Sequence, residues 1–551
     1  MEQAELAALL FPKTGKTLAD YETVYPPRRL PPGAPVTRLA PSPTGFIHLG
    51  NVYGALASER LAHQNGGLFL LRIEDTDEKR EKPGAVEALI EALAYFGLRF
   101  DEGAAAAGER GAYGPYRQRE RVGLYHAAAR ALTERGLAYP CFCSEEELQE
   151  IRAAQAAAGA NFGYYGAWAK YRDLPPAEAR RRLERGEPFV LRWRAPEAAA
   201  AATVTVTDAV RGALVLPANE QDIVLLKSNG VPTYHFAHVV DDHFMRVTHA
   251  VRGEEWLPSL PVHAQLFAAL AWEPPVYCHT PLLLKMEGGG KRKLSKRKDP
   301  ELALDFYRRE GYHPLAVREY LMTILNSGYE EWRLAHPGTD MEEFSFSLAK
   351  IGASGALFDL QKLNDISKNV FAALAPEETA DFLRQWAEAM SVSALLKAPR
   401  EYLTAIAAIG RREANPRKDF IYGAQIFSFI SFFFDECFQA EDPLPDNMTG
   451  AEAGRILTEY LAAYDHAAGK DGWFAALKRL AVAGGYAEKP KDYKKQPELY
   501  KGHIGDVSAV IRLALSGRKN SPDLWEIQQA MGEQRVRGRL AAARQRYGGP
   551  G

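Results

Sequence analysis

Neither of the two glycine-rich phosphate loops is present in this 551-residue chain: there is no GxxxxGKS/T, and no GxGxxG follows a strand. A P-loop or dinucleotide-binding enzyme of the usual kind is therefore excluded. Charge of one sign is missing too. Lys and Arg number 68 and Asp and Glu 70, for a net charge of -2. Bulk attraction to nucleic acid or an anionic membrane is not expected, and any RNA contact must be a local patch. Cysteine is scarce. Cys141, Cys143, Cys278 and Cys437 are too few and too scattered for a disulfide framework. They fit a reducing compartment, so a cytoplasmic protein is expected. No apolar run reaches bilayer length, and the amino terminus has no basic stretch leading into an apolar core. Neither a membrane span nor a secretory leader is expected. No internal repeat is evident. What remains is an ordinary globular composition, with length enough for three or four domains.

The chain is organised around the stretch from Val36 to Asp77. Val36 to Ala40 is a short strand-like run. Pro41-Ser42-Pro43-Thr44-Gly45 forbids regular structure and forces a turn. A helix follows, with Val52, Ala55, Leu56, Glu59 and Ala62 recurring at helical spacing until Asn65-Gly66-Gly67 stops it. Leu68 to Ile73 then reads as a strand buried on both faces. This is a βαβ unit with a turn at the carboxyl end of its first strand, where open α/β sheets bind ligands. His48 and Gly50 sit at the helix N-terminus, whose free N–H groups and partial positive charge suit a polyphosphate. That site needs a cationic partner, and Lys293-Leu294-Ser295-Lys296-Arg297 supplies one.

The segments APSPTGFIHLGN, RIEDTD, YHFAHVVDDH, VRGEEW and KLSKR, in that order, closely resemble bacterial glutamyl-tRNA synthetases, a family of class I aminoacyl-tRNA synthetases. HLGN stands where the family has its HIGH signature and KLSKR where it has KMSKS. The strong resemblance covers Val36 to Tyr312, and a weaker one returns at the carboxyl terminus. It implies a Rossmann-like α/β catalytic domain with an α+β connective insertion, followed by a mostly α-helical anticodon-binding region. The boundaries expected are an amino-terminal arm at 1–35 and the first half of the catalytic domain at 36–137. The acceptor-binding insertion follows at 138–225 and the second half of the catalytic domain at 226–270. The KMSKS loop and stem-contact region then occupy 271–360, and the helical region 361–551. The arm reads as surface packing, with RNA contact through Arg28 and Arg29 as the alternative. Tyr25 to Gly33 is expected to be a stiff extended linker, and the alanine run before Thr203 a flexible link.

The chemistry implied is attack of an amino acid carboxylate on the α-phosphorus of ATP, with expulsion of pyrophosphate, followed by transfer to tRNA. Such a reaction asks mainly for alignment and for cations facing the developing negative charge. By resemblance, His48, Gly50, Asn51, Lys293, Ser295 and Lys296 form the catalytic set, with Lys296 the leading candidate. Ala40, Trp256 and Leu283 complete the ATP site with His48, Gly50 and Lys296. Met286-Glu287-Gly288-Gly289-Gly290 reads as a flexible lead-in to a closing loop. A γ-carboxylate calls for a planar, permanently charged donor, which is Arg rather than Lys. Arg38 and Arg252 are expected to hold the substrate carboxylates, with Ser42 adding a hydrogen bond and Glu74 facing the ammonium. Tyr234 lines the pocket, and His238 stands where relatives with YHxAN have Asn. Asp75, Asp77, Asp241 and Asp242 read as caps and ion pairs.

Cys141-Phe142-Cys143 is half of a zinc motif, and Trp168 falls where some relatives supply a further Cys. Indole cannot ligate, so no zinc is expected. ATP with Mg2+ as its counter-ion is the implied cofactor set. Arg512, Arg518, Lys519, Arg535, Arg537 and Arg539 are candidate tRNA contacts, and Phe427 to Phe434 reads as core. Partners implied are L-glutamate, tRNA(Glu) and, in a non-discriminating enzyme, tRNA(Gln); a monomer is expected. The alternatives are a catalytically silent tRNA-binding paralogue, a glutaminyl-tRNA synthetase or another nucleotidyl transferase. APSPTG in place of a PPEPNG-like run, and paired arginines, favour glutamate.

Overall fold

A computed structural model of the chain describes residues 2–43, 47–77, 83–197, 202–412 and 415–547. Thr44 and Gly45 of the forced turn, and most of the alanine run before Thr203, lie outside these residues. The chain forms two compact units: Met1–Leu304 with Val317–Leu360, and Asp305–Ala316 with Gln361–Gly551.

In the first unit, strands β1 (Val36–Leu39), β2 (Leu68–Leu71) and β3 (Glu102–Ala105) run parallel, and β4 (Gly108–Arg110) closes the edge antiparallel to β3. The insertion contributes β5 (Ala138–Cys141), β6 (Val190–Trp193), the hairpin β7 (Thr203–Asp208) and β8 (Gly212–Pro217), and β9 (Val224–Leu226). The parallel sheet resumes with β10 (His249–Gly253) and β11 (Val276–Thr280). β1 lies beside β10, since Thr248 N–H donates to Val36 O at 2.9 Å and Val36 N–H to Thr248 Oγ1 at 2.8 Å. The strand order β3-β2-β1-β10-β11 therefore reverses direction of growth at β1, and the crevice above its carboxyl ends is a topological switch point. β5, β6 and β9 form a separate antiparallel sheet, while β7 joins the edge of β11 at Asp208 opposite Tyr277.

The helix Leu49–His63 crosses from β1 to β2. Eleven of its fifteen residues are buried, as expected for a helix packed on the sheet on one side and under other elements on the rest. Gly67 ends the connection where a Cβ would collide with Pro35 O at 1.9 Å. β2 stops at Leu71, two residues short of the expected Ile73, and Arg72 follows. Its guanidinium is fully buried and is matched by Asp242 at 2.7 Å and Glu74 at 3.3 Å. Asp241 beside it accepts from Arg121, Gln118 and Tyr125 at 2.6, 2.9 and 2.9 Å. Asp241 and Asp242 are ion-pair partners inside the domain, as the sequence suggests.

The amino-terminal arm begins with a helix, Glu2–Leu10. A second helix, Leu18–Val24, starts at Thr17 in a capping box with Asp20. Arg28 makes a double hydrogen bond to Glu102 at 2.8 and 2.9 Å and lies 3.7 Å above the Tyr113 ring. The arm is packed on the domain through that residue.

β12 (Leu283–Glu287) and β13 (Gly290–Lys293) form an antiparallel hairpin, and β14 (Ala356–Leu357) adds to β12. Gly288 and Gly289 take φ of 59° and 83° at its tip. A two-residue turn with positive φ at both positions matches the twist of paired strands. The expected flexible lead-in is thus a structured hairpin.

The second unit is helical. Its core gathers Phe371, Leu383, Ile426, Leu457, Val510 and Leu540. Phe432, Phe433 and Phe434 are buried there as well, so the aromatic run is core. Among the described residues no helix is long and apolar enough to cross a membrane.

Candidate active site

The turn after β1 delivers His48 as the N-cap of Leu49–His63, in extended conformation. His48 N–H donates to Asn51 Oδ1 at 3.0 Å, and Asn51 N–H returns to His48 O at 2.8 Å. Asn51 therefore fixes the first turn, whose remaining N–H groups carry the positive end of the helix dipole. A Cβ on Gly50 would stand only 3.0 Å from His48 Nδ1. A larger residue there would crowd the imidazole. Burial, and then the positive charges of Lys296 and Lys293, lower the His48 pKa to about 4. The ring is neutral at neutral pH, and those two lysines are its electrostatic neighbours.

The hairpin β12–β13 carries Lys293 at its end and leads to Ser295 and Lys296. Asp299, almost wholly buried, anchors this corner. It accepts from Arg292 at 2.5 and 2.8 Å and from Ser295 N–H at 2.8 Å. The paired guanidinium holds the Asp299 carboxyl far below the usual carboxylate range. The signature loop is pinned at its base.

Between these two features lies a cleft of about 400 Å³. Ala40, His48, Gly50, Asn51, Lys293 and Lys296 line it, with Leu283 and Trp256, and so do Arg38, Glu74, Tyr234 and Arg252. The Tyr234 and Trp256 rings face each other with centroids 4.6 Å apart. Arg38 is tied to Asp242 at 3.3 Å and to Val251 O at 3.1 Å. Arg252 is held differently, donating to His279 Nε2 at 3.0 Å and to His263 Nδ1 at 3.1 Å. Its Nη2 is buried without a hydrogen-bond partner. Burial drives the Glu74 carboxyl up to about 7, against the pull of Arg72 and Arg38.

Three candidates are not in the cleft wall. Ser42 is exposed on the connecting turn. Ser295 contributes its N–H to Asp299. His238 is fully buried behind Tyr234, 3.5 Å from Tyr277 OH, with its ring 4.3 Å from that of His263. His263, His279 and Asp208 were not singled out in the sequence. They lie on separate elements with no shared spacing, and a single His in an apolar run reads as core.

In the insertion, Tyr164 OH lies 3.4 Å from Cys141 Sγ and 3.5 Å from Cys143 Sγ. Two thiols and a phenol are short of a four-ligand zinc set, and Trp168 occupies a short 3-10 turn beyond them.

In the second unit the candidate RNA-contacting arginines are engaged with protein. Arg512 donates to Ser521 O and Pro522 O, and Arg518 to Glu441 and Phe429 O. Arg535 and Arg539 converge on Asp435 at 3.1 and 2.8 Å. Arg537 joins Glu533 and Tyr464 O at 2.8 and 2.9 Å. Lys519 is exposed, and its backbone N–H donates to Asp442.

Residues 35–364 match the family model of the class I tRNA synthetases (E and Q), catalytic domain, and residues 497–544 match an anticodon-binding domain. The glutamate–tRNA ligase of Acetivibrio thermocellus is 57% identical over 546 residues, covering 98% of this chain and 99% of its own length. That of Clostridium perfringens strain 13 is 46% identical over 547 residues, covering 98% and 100%. Among solved structures, a glutamate tRNA ligase from Elizabethkingia meningosepticum, in complex with its amino acid, superposes with a TM-score of 0.74. It is 29% identical, over 93% of this chain and 99% of its own. With its motifs, parallel-sheet crevice and helical carboxyl-terminal unit, the chain belongs to the class I aminoacyl-tRNA synthetases and, within them, to the glutamate–tRNA ligases.

Proposed function

We propose that the cleft makes glutamyl-adenylate from L-glutamate and ATP and passes the glutamyl group to the 3′-terminal adenosine of tRNA(Glu). The observation that carries this reading is that one cleft is lined both by a helix N-terminus with two lysines and by two arginines with a carboxylate.

In the first step a glutamate α-carboxylate oxygen forms a bond to the α-phosphorus, and the bond from that phosphorus to the bridging oxygen breaks. The electron pair leaves with pyrophosphate. His48, neutral, and the N–H groups at Gly50 and Asn51 hold phosphate oxygens; Lys293 and Lys296 face the charge gathering on the leaving group. Ser295 supports that loop. Magnesium arrives with ATP and shields its phosphates. Ala40, Leu283 and Trp256 enclose the nucleotide. Arg252 and Arg38 receive substrate carboxylates, Glu74 receives the ammonium, and Tyr234 forms the floor. His238 supports Tyr234 from behind. In the second step a ribose hydroxyl of the tRNA attacks the glutamyl carbonyl, and AMP leaves.

The helical unit is the anticodon reader, through splayed bases. Arg512, Arg518, Lys519, Arg535 and Arg537 are tRNA-contacting residues on this reading, which requires some to exchange a protein partner for phosphate. The enzyme works as a cytoplasmic monomer, on tRNA(Glu) and, where the anticodon is tolerated, on tRNA(Gln). Glutamate-dependent exchange of pyrophosphate into ATP, measured with tRNA present, tests the proposal. Exchange with glutamate supports it; no exchange with any amino acid favours the silent paralogue.

A further inference from the structure

Three cationic side chains meet around the cleft and its rear wall, and they are compensated in two different ways. Arg38 and Arg72 have carboxylates, Asp242 serving both and Glu74 serving Arg72. Among the described residues, Arg252 is hydrogen bonded only to imidazoles. Its ring neighbour is Tyr277, 4.8 Å below the guanidinium.

The protonation pattern follows from donor chemistry. A guanidinium can only donate. His279 Nε2 and His263 Nδ1 must therefore both be unprotonated acceptors. The His279 proton then lies on Nδ1, which donates to Asp208 Oδ2 at 2.6 Å. The same carboxylate accepts from the N–H groups of Val210 and Arg211 at 2.9 Å. The His263 proton lies on Nε2, which donates to His235 Nδ1 at 3.0 Å. Burial lowers the basicity of both rings, with His238 and Arg252 adding to it at His263. Both rings are fully buried, so no water competes for these bonds.

We infer that His263 and His279, the latter backed by Asp208, are positioning residues that set the preference for glutamate over glutamine. They fix the Arg252 guanidinium through two of its three nitrogens while leaving its charge unneutralised. The third, Nη2, has no partner in the protein. An unpaired buried donor on a full positive charge is costly to leave unmet, and a carboxylate meets it far better than an amide. Had either imidazole been an Asp or Glu, the cation would already be paired, and the neutral amide of glutamine would lose less. This inference rests on the assignment of Arg252 to the substrate carboxylate.

The test is aminoacylation by the full-length enzyme, comparing His263→Leu, His263→Asn and His263→Glu. Losing one hydrogen bond to a charged group predicts a KM for glutamate raised about tenfold in His263→Leu, with KM for ATP within about twofold. His263→Asn keeps a neutral acceptor and should recover most of that loss. His263→Glu places a carboxylate on Arg252 and should cut the glutamate-to-glutamine ratio of kcat/KM by about tenfold or more. If His263→Leu does not fold, the Asn and Glu variants carry the comparison. A KM for glutamate unchanged in Leu, or a ratio unchanged in Glu, overturns the inference. So do parallel losses of glutamate and ATP affinity in Asn and Glu, which mark a merely structural role. Wild-type enzyme that charges no glutamate would instead remove the functional reading itself.

Discussion

Arg72 donates to Glu74 across 3.3 Å, yet the Glu74 carboxyl stays up at about 7. The pair is too deeply buried for one guanidinium to hold the carboxylate ionised, and Asp241 and Asp242 compete for the same cation. Glu74 thus takes or loses its proton near neutral pH. As pH rises through about 7 it becomes the anion that a substrate ammonium needs. KM for glutamate should fall by about tenfold from about pH 6 to about pH 8, since a group one unit below its pKa is about one-tenth ionised. Glu74→Gln should raise KM and flatten the profile. Steady-state kinetics across that range check it.

Burial, and then Lys296 and Lys293, lower the His48 pKa, so the charge of the two lysines reaches the N-terminal end of the helix. Lys296→Ala should slow adenylate formation by about 10²- to 10³-fold, the usual effect of removing one aligned donor from a developing anion. Binding of tRNA should stay nearly intact in filter binding. Equal losses in both assays would count against a leaving-group role.

Asp299 pins the base of that loop through Arg292 and the Ser295 N–H. Asp299→Ala should raise KM for ATP several-fold and leave KM for glutamate unchanged, because on the proposed assignment the anchored loop carries the lysines that face ATP. Parallel kinetics with each substrate varied separate the two.

Asp241 is a stability residue. It accepts from Arg121, Gln118 and Tyr125, all buried. Asp241→Ala leaves Arg121 without its carboxylate, and breaking a buried pair from one side costs about 3–5 kcal/mol. Denaturant unfolding followed by tryptophan fluorescence should show the transition of the catalytic unit shifted by that amount.

Much of the site is legible in the sequence because local chemistry writes it there. The Pro-rich turn, the His-x-Gly at a helix start and the basic KLSKR run each carry their own signal, and order along the chain binds them together. The helix Leu18–Val24 is missing from the sequence reading: Thr17 and Asp20 stand at capping spacing, but the apolar face they introduce is short. The hairpin at Gly288-Gly289 reads in the sequence as a flexible segment, since consecutive glycines serve a tight turn and a loose loop equally well. The buried charges were the least legible. Arg72 sits in what looks like a strand. His263 and His279 reach Arg252 from a helix and a strand that no sequence spacing relates. Only the packed sheet shows that a cation recognised from its motif is held by imidazoles and not by a carboxylate.

The central claim is tested most directly by aminoacylation with radiolabelled glutamate and glutamine, each offered with transcripts of tRNA(Glu) and tRNA(Gln). The account predicts glutamate on tRNA(Glu) and no measurable glutamine on either transcript. Glutamate on tRNA(Gln) as well would make the enzyme non-discriminating and leave the account standing. Charging of glutamine in preference to glutamate, or no charging of any pair, would contradict it.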